Sequence, residues 1–170
     1  MNALELKASV TVDDAGMITG IAWPFGSADR MGDDILPGAF KGATGPLPML
    51  AFHKPDEPVG VWSDVEESAK GLMVKGRLLI EDVPRAREVQ ALVKSGAVAG
   101  LSIGFITRKA ETRKGGGRTI RSVDLVEISL VTVPAHPGAR ITAAKSADAI
   151  RLAEAINRAT MALRPQEGQR

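Results

Sequence analysis

The sequence around one serine, Ser102, is compatible with an accessible nucleophile. Residues 100–105 read GLSIGF, within a segment that otherwise has the composition of a buried strand. Residues two apart in a strand lie on one face, so Ser102 shares its face with Gly100 and Gly104. Glycine weakens a strand and is tolerated where a ligand or another backbone must approach closely. We therefore predict that the Ser102 hydroxyl faces a groove open to an extended peptide, although glycines that merely relieve crowding would give the same pattern.

A serine nucleophile needs a base, and the chain offers few. It contains two histidines, His53 and His136, so a mechanism assisted by imidazole must use one of them. His53 follows the apolar segment LPMLAF, at a predicted strand end from which a side chain can reach a groove. His136 lies between two prolines in VPAHPGA, a sequence typical of a loop.

The third member of such a site is an acid that orients the imidazole. Glu127 is the first candidate because it interrupts the apolar segment LVEISLV, where an unpaired carboxylate is costly to bury. Asp124 is the reserve candidate. Alternatively, Glu127 is a solvent-exposed residue on an edge strand. The other residues on its face of the strand do not by themselves define a core.

Two arrangements of these residues compete. The chain order Ser102, Glu127, His136 matches that of the α/β-hydrolases, and GLSIG formally fits their nucleophile elbow. That elbow requires a sharp turn from strand to helix, whereas IGFITRK continues as a strand. The order His53, Ser102, Glu127 on an antiparallel β framework is therefore preferred.

The rest of the chain supplies such a framework. Alternating apolar and polar residues predict strands at LELKASVTV, GMITGIAWPF, LPMLAFH, VGVWSDVEES, GLMVKGRLLI, VAGLSIGFITRK and RSVDLVEISLVTVP. A helix is expected after the fifth of these, with Asp82 as its cap, Pro84 in its first turn and Gly96 at its end. We predict a β domain over 1–145, a C-terminal helix over 146–164 and a disordered tail over 165–170.

Composition argues against several other classes of function. The 170 residues include 22 Lys and Arg against 20 Asp and Glu, a net charge of +2 that does not indicate a dedicated nucleic-acid binder. Cysteine is absent, which excludes a cysteine nucleophile and a thiolate zinc site. No segment approaches the roughly 18 apolar residues of a membrane span, and MNALELKASV lacks the features of a secretion signal. Neighbouring Asp33 and Asp34 are only a weak metal signal, so no metal or cofactor is predicted.

Four segments together resemble the prohead maturation proteases of tailed phages, a family related to herpesvirus assemblin. They are ITGIAWPFGSADRMGDDILPGAF, LPMLAFHKPDEPVGVW, GLSIGF and LVEISLVTVPAHPGA, in the family's order over about residues 18–139. The resemblance implies an α+β fold that is mainly β, an antiparallel β-barrel of the assemblin type with flanking helices. It also implies a serine endopeptidase that cleaves capsid scaffolding segments, and finally itself, during prohead maturation.

The resemblance assigns roles to individual residues. His53 matches the histidine at the strand end, Ser102 the serine of GLSIG and Glu127 the acid of EISLV. Assemblins have a second histidine in place of that acid. The loop PAHPGAR, with Arg140, is the candidate source of backbone N–H groups for an oxyanion hole.

The resemblance also implies partners and a location. The expected partner is the precursor of the major capsid protein with its scaffolding segment, and self-association is left open. The expected location is the host bacterial cytoplasm, inside the immature capsid, with self-cleavage in the segment after Leu163. Two other functions remain as alternatives: a small serine esterase or lipase that uses Ser102, Glu127 and His136, and a non-catalytic capsid or scaffold module with a protease fold.

Overall fold

Alternating apolar and polar residues form strands through most of residues 14–142, the part of the chain that the computed structural model describes. The elements are β1 Met17–Pro24, β2 Asp34–Ile35, β3 Leu47–Ala51, β4 Pro58–Ser68, β5 Gly71–Leu78, α1 Pro84–Lys94, β6 Gly100–Thr112, β7 Arg118–Val131 and β8 Arg140–Thr142. Every strand predicted within this part is present. The structure adds β2 and β8, of two and three residues, which are too short to show an alternating pattern. The strand expected at LELKASVTV, the helix expected over 146–164 and the tail 165–170 lie outside the described residues.

Seven of the described strands close into a barrel in the order β7, β3, β4, β5, β1, β8, β6, with β6 pairing back onto β7. The predicted class, mainly β with an antiparallel barrel, is confirmed. Strand directions cannot alternate all the way around a ring with an odd number of members, so one pairing must be parallel. That pairing joins β3 to β7. The short β2 also pairs with β7 in parallel, outside the ring.

The core of the barrel is apolar, and the indole of Trp62 within it has a hydrogen-bond partner. Trp62 is completely buried, and its indole N–H donates to the carbonyl oxygen of Ile128 at 2.9 Å. Helix α1 packs against the barrel through Ala86, Val89 and Val93, which are also completely buried. The hydrogen bond between Trp62 and Ile128 connects β4 to β7, the strand that carries Glu127.

The ends of α1 differ in part from the prediction. Asp82 does not cap the helix, since Val83 occupies the N-cap position and no side chain caps it. Pro84 begins the helix, where a residue without an N–H leaves one fewer donor unsatisfied. Gly96 follows the helix with φ +79°, a left-handed conformation that glycine adopts without steric cost, as predicted.

Pairing of β6 with β7 determines which residues face the same way. Ser102 lies opposite Ser129 in this antiparallel pair. Gly104 lies opposite Glu127. Cross-strand partners project to the same face of a sheet, and Leu101, which alternates with them, lies in the core. The four paired residues therefore lie on the outer face of the barrel.

Candidate active site

The turn after β3 carries His53 to this outer face. Phe52 and His53 have φ values of +54° and +58°, a left-handed conformation that is uncommon outside glycine and costs about 1–3 kcal/mol for each residue. Two hydrogen bonds stabilise the turn. The Phe52 N–H donates to the carbonyl oxygen of Leu130, and the His53 N–H donates to the Ser129 hydroxyl, each at 3.1 Å. The turn is therefore attached to the C-terminal end of β7.

His53 and Glu127, the predicted base and acid, are in direct contact. His53 Nδ1 lies 2.7 Å from Glu127 Oε1, and because a carboxylate only accepts, the proton of this bond belongs to Nδ1. Nε2 is then the basic nitrogen. The Glu127 side chain is 11% exposed and that of His53 is 44% exposed. The hydrogen bond that His53 donates to Glu127 raises the pKa of His53 above 6.5, and burial partly opposes this effect.

Ser129 was not predicted as a site residue, yet it contacts both members of this pair. Its hydroxyl donates to Glu127 Oε2 at 2.7 Å and accepts the backbone N–H of His53 at 3.1 Å. Ser129 is completely buried. The signal available in the sequence was its spacing of two from Glu127, which places both side chains on one face.

Ser102 lies on β6, directly across from Ser129, and is 7% exposed. It borders a cavity of about 30 Å³ that Trp23 and His136 also line. The prediction that Gly100 and Gly104 leave an open groove is wrong. A Cβ at Gly104 would lie 2.4 Å from Glu127 Oε1, and one at Gly100 would lie 2.7 Å from Pro134 Cδ. The two glycines make room for the side chains of their own protein.

Asp124, the reserve acid, lies apart from His53. Its carboxylate forms an ion pair with Arg108 on the neighbouring strand, and half of its side chain is exposed. The hydrogen bond from Arg108 holds the pKa of Asp124 below its usual value. A bulge in the pairing of β6 with β7 separates Asp124 from Glu127.

His136 is a structural residue of its loop. It is 3% exposed, and its ring lies edge-on to Trp23 with the centroids 4.8 Å apart. The Gly138 N–H donates to Nδ1 at 3.1 Å, so the proton is on Nε2, which lies 3.1 Å from the carbonyl oxygen of Ser27. Both ring nitrogens are occupied, which argues against His136 as a general base and against the esterase arrangement.

In the loop PAHPGAR, the candidate source of oxyanion-hole donors, two backbone N–H groups form hydrogen bonds within the loop. The Gly138 N–H binds the His136 ring, and the Ala139 N–H donates to the His136 carbonyl oxygen at 3.0 Å. In this conformation neither N–H is free to bind an oxyanion.

We expect His136→Asn to lower stability but to leave the activity of the folded protein within about threefold. The shorter side chain cannot reach both partners, and unsatisfied buried polar groups cost about 1–3 kcal/mol. Thermal unfolding and cleavage by a known amount of folded protein measure the two effects. A folded His136→Asn variant with no activity would restore His136 as a candidate base.

Metal and membrane sites receive no support from the described part of the chain. Across residues 14–142, no group of three His, Cys, Asp or Glu residues is placed to hold a metal ion. Asp33 is instead paired with Arg118, with one N–O distance of 3.0 Å. Within the same residues, no helix is long and apolar enough to cross a membrane.

The fold is similar to that of a herpesvirus protease. A crystal structure of KSHV protease in complex with a hexapeptide phosphonate inhibitor matches 90% of this chain and 79% of that chain, with a TM-score of 0.53 and 13% sequence identity. At this identity the similarity shows a shared fold.

Sequence comparison finds proteins from phages. The chain is 40% identical over 142 residues to the prohead protease of Enterobacteria phage HK97, covering 79% of this chain and 63% of that protein. It is 39% identical over 155 residues to the capsid polyprotein of Pseudomonas phage PAJU2, covering 86% of this chain and 22% of the polyprotein. The chain thus spans less than two thirds of the length of either relative.

A family model described as Caudovirus prohead serine protease matches residues 2–152 of the chain. The match includes the turn that carries His53 and the strands that carry Ser102 and Glu127. This protein belongs to the caudovirus prohead serine protease family.

Proposed function

We propose that the chain is a serine endopeptidase of capsid maturation, with Ser102 as nucleophile, His53 as general base and Glu127 as the acid that orients it. The observation that carries this proposal is the 2.7 Å contact between His53 Nδ1 and Glu127 Oε1, on the face of the barrel that also carries Ser102. Family membership supports the same chemistry.

The direction of the hydrogen bond between His53 and Glu127 supports the following catalytic cycle. Glu127 holds the proton on Nδ1 of His53, which leaves Nε2 to accept the proton of the Ser102 hydroxyl. The serine oxygen attacks the scissile carbonyl carbon, and the imidazolium then gives its proton to the leaving amine. Water, activated by the same imidazole, hydrolyses the acyl-enzyme.

The raised pKa of His53 determines the pH dependence. The base works only when neutral, so the rate falls as pH decreases through the pKa of His53. Since Glu127 raises that pKa above 6.5, the loss of activity toward acid begins at a higher pH than it would for an unpaired histidine.

The relatives support a proposal for substrate, partner and location. One relative is a prohead protease, and a similar segment is contained in a capsid polyprotein. We infer that the substrate is the capsid protein precursor with its scaffolding segment, cleaved inside the immature capsid in the host cytoplasm. Self-cleavage after Leu163 and self-association are parts of the same proposal, and Leu163 lies outside the described residues.

Co-expression with a capsid protein precursor tests the function. We expect intact-mass measurement to show a shortened precursor with the wild-type chain and a full-length precursor with Ser102→Ala. A full-length precursor beside correctly folded wild-type protein would instead favour a non-catalytic capsid module. Intact mass of the wild-type chain in the same sample tests self-cleavage.

A further inference from the structure

We infer that Ser129 is a positioning residue of the active site, which fixes Glu127 and the backbone of His53 to each other, and that Gly104 provides the space this arrangement requires. The inference rests on the proposed function, because it assigns these residues to the same pair of acid and base. Neither residue touches the reacting atoms in this role.

The directions of the Ser129 hydrogen bonds are unambiguous. The backbone N–H of His53 can only donate, so the Ser129 hydroxyl oxygen accepts it at 3.1 Å. A carboxylate only accepts, so the single hydroxyl proton is donated to Glu127 Oε2 at 2.7 Å. Because Ser129 is completely buried, water has no access to replace either bond.

The two oxygens of Glu127 have separate partners. Oε1 accepts from His53 Nδ1, and Oε2 accepts from Ser129, both at 2.7 Å. Two bonds at the two oxygens fix the rotation of the carboxylate plane, whereas the bond to His53 alone would allow the carboxylate to turn. Without Ser129, the carboxylate of Glu127 would be free to rotate with the partly exposed imidazole of His53. It would then no longer fix the orientation of that ring.

The same hydroxyl also supports the strained turn. Phe52 and His53 both have left-handed backbone conformations, which persist where the surrounding structure holds them in place. Ser129 binds the N–H of His53, and it lies on β7 directly opposite Ser102 on β6. The Ser129 side chain therefore contacts both His53 and Glu127 at a position paired with Ser102.

Gly104 is required for space and not for its backbone conformation. Its φ lies outside the left-handed region, yet a Cβ there would lie 2.4 Å from Oε1, 2.9 Å from Cγ and 3.0 Å from Cδ of Glu127. A side chain at this position therefore requires the Glu127 side chain or the strands to move, and movement of the carboxylate breaks its contact with His53. Gly104→Ala, on β6, is expected to disturb the contact between His53 and Glu127. Loss of the Ser129 hydroxyl, on β7, is expected to disturb the same contact.

Three charged groups near the turn, Lys54, Glu57 and Arg85, are paired with one another, and Asp56 in the same turn is exposed. Lys54 Nζ lies 2.7 Å from Glu57 Oε1, and Arg85 Nε lies 3.1 Å from Glu57 Oε2. Glu127 is thus the charged group in direct contact with the imidazole of His53. A fall in the His53 pKa therefore reports on loss of that contact or on deeper burial of the ring, the cause that lowers this pKa.

The test measures the pKa of His53 by NMR titration of its ring protons in a Ser102→Ala background, where no cleavage interferes. We expect both Ser129→Ala and Gly104→Ala to move this pKa down toward that of an unpaired histidine. The matched control is Ser122→Ala, on the same strand, which should leave it unchanged. The buried His136 provides the second histidine signal, and its persistence shows that each variant is folded.

Kinetics complete the test in the chain with Ser102 restored. We expect Ser129→Ala and Gly104→Ala to lower kcat about 10- to 100-fold while KM changes less than about threefold, because the inferred role acts on the base and not on substrate binding. Unchanged or raised His53 pKa values in both variants would overturn the inference, as would an unchanged kcat. If the wild-type chain cleaves nothing, the proposed function fails, and the titration still decides whether Ser129 and Gly104 hold the pair.

Discussion

Ser102→Ala is expected to reduce cleavage of the capsid precursor by at least ~10⁴-fold, because removal of a serine nucleophile leaves only the small rate enhancement of the remaining site. The barrel should remain folded. Ser102 lies on the outer face of β6, on the side opposite the core residue Leu101, and alanine only removes its hydroxyl. Intact-mass measurement of the precursor gives the activity, and circular dichroism gives the fold.

The matched control for this substitution is Ser122→Ala, a serine on the neighbouring strand away from the site. It should cleave like the wild type. A folded Ser102→Ala variant that still shortens the precursor would remove Ser102 from the mechanism and leave the contact between His53 and Glu127 without a nucleophile.

Glu127→Gln is expected to lower turnover by roughly 10² to 10⁴-fold while the fold is retained. The amide preserves the shape of the side chain but carries no charge, and its NH₂ group can turn toward His53 and favour the wrong tautomer. Glu127 raises the pKa of His53, so its loss lowers that pKa. The acid limb of the pH profile should therefore move to lower pH, at a much reduced maximal rate.

Asp124→Asn is the control for the loss of a carboxylate. Asp124 is half exposed and paired with Arg108, and an exposed ion pair contributes little to stability. Its replacement should change activity by less than about tenfold. The acid limb of the pH profile should stay at the same pH. If Asp124→Asn proved as damaging as Ser102→Ala while Glu127→Gln cleaved normally, the assignment of the acid would be wrong.

Much of this site was predictable because the sequence offers few choices. Only two histidines are present, and one carboxylate interrupts the apolar segment LVEISLV. The strands were predictable for a different reason. Alternation of apolar and polar residues is a local property with a period of two, so it appears in the sequence wherever one face of a strand is buried.

Tertiary structure decided which of these residues meet. His53 and Glu127 are 74 positions apart, and their contact depends on the parallel pairing of β3 with β7 and on the left-handed turn that follows β3. Neither the register nor the odd number of strands that requires a parallel pair is visible in a local pattern. Gly104 illustrates the limit, because the sequence shows that a side chain is missing, but only the register of β6 against β7 shows that Glu127 fills the space.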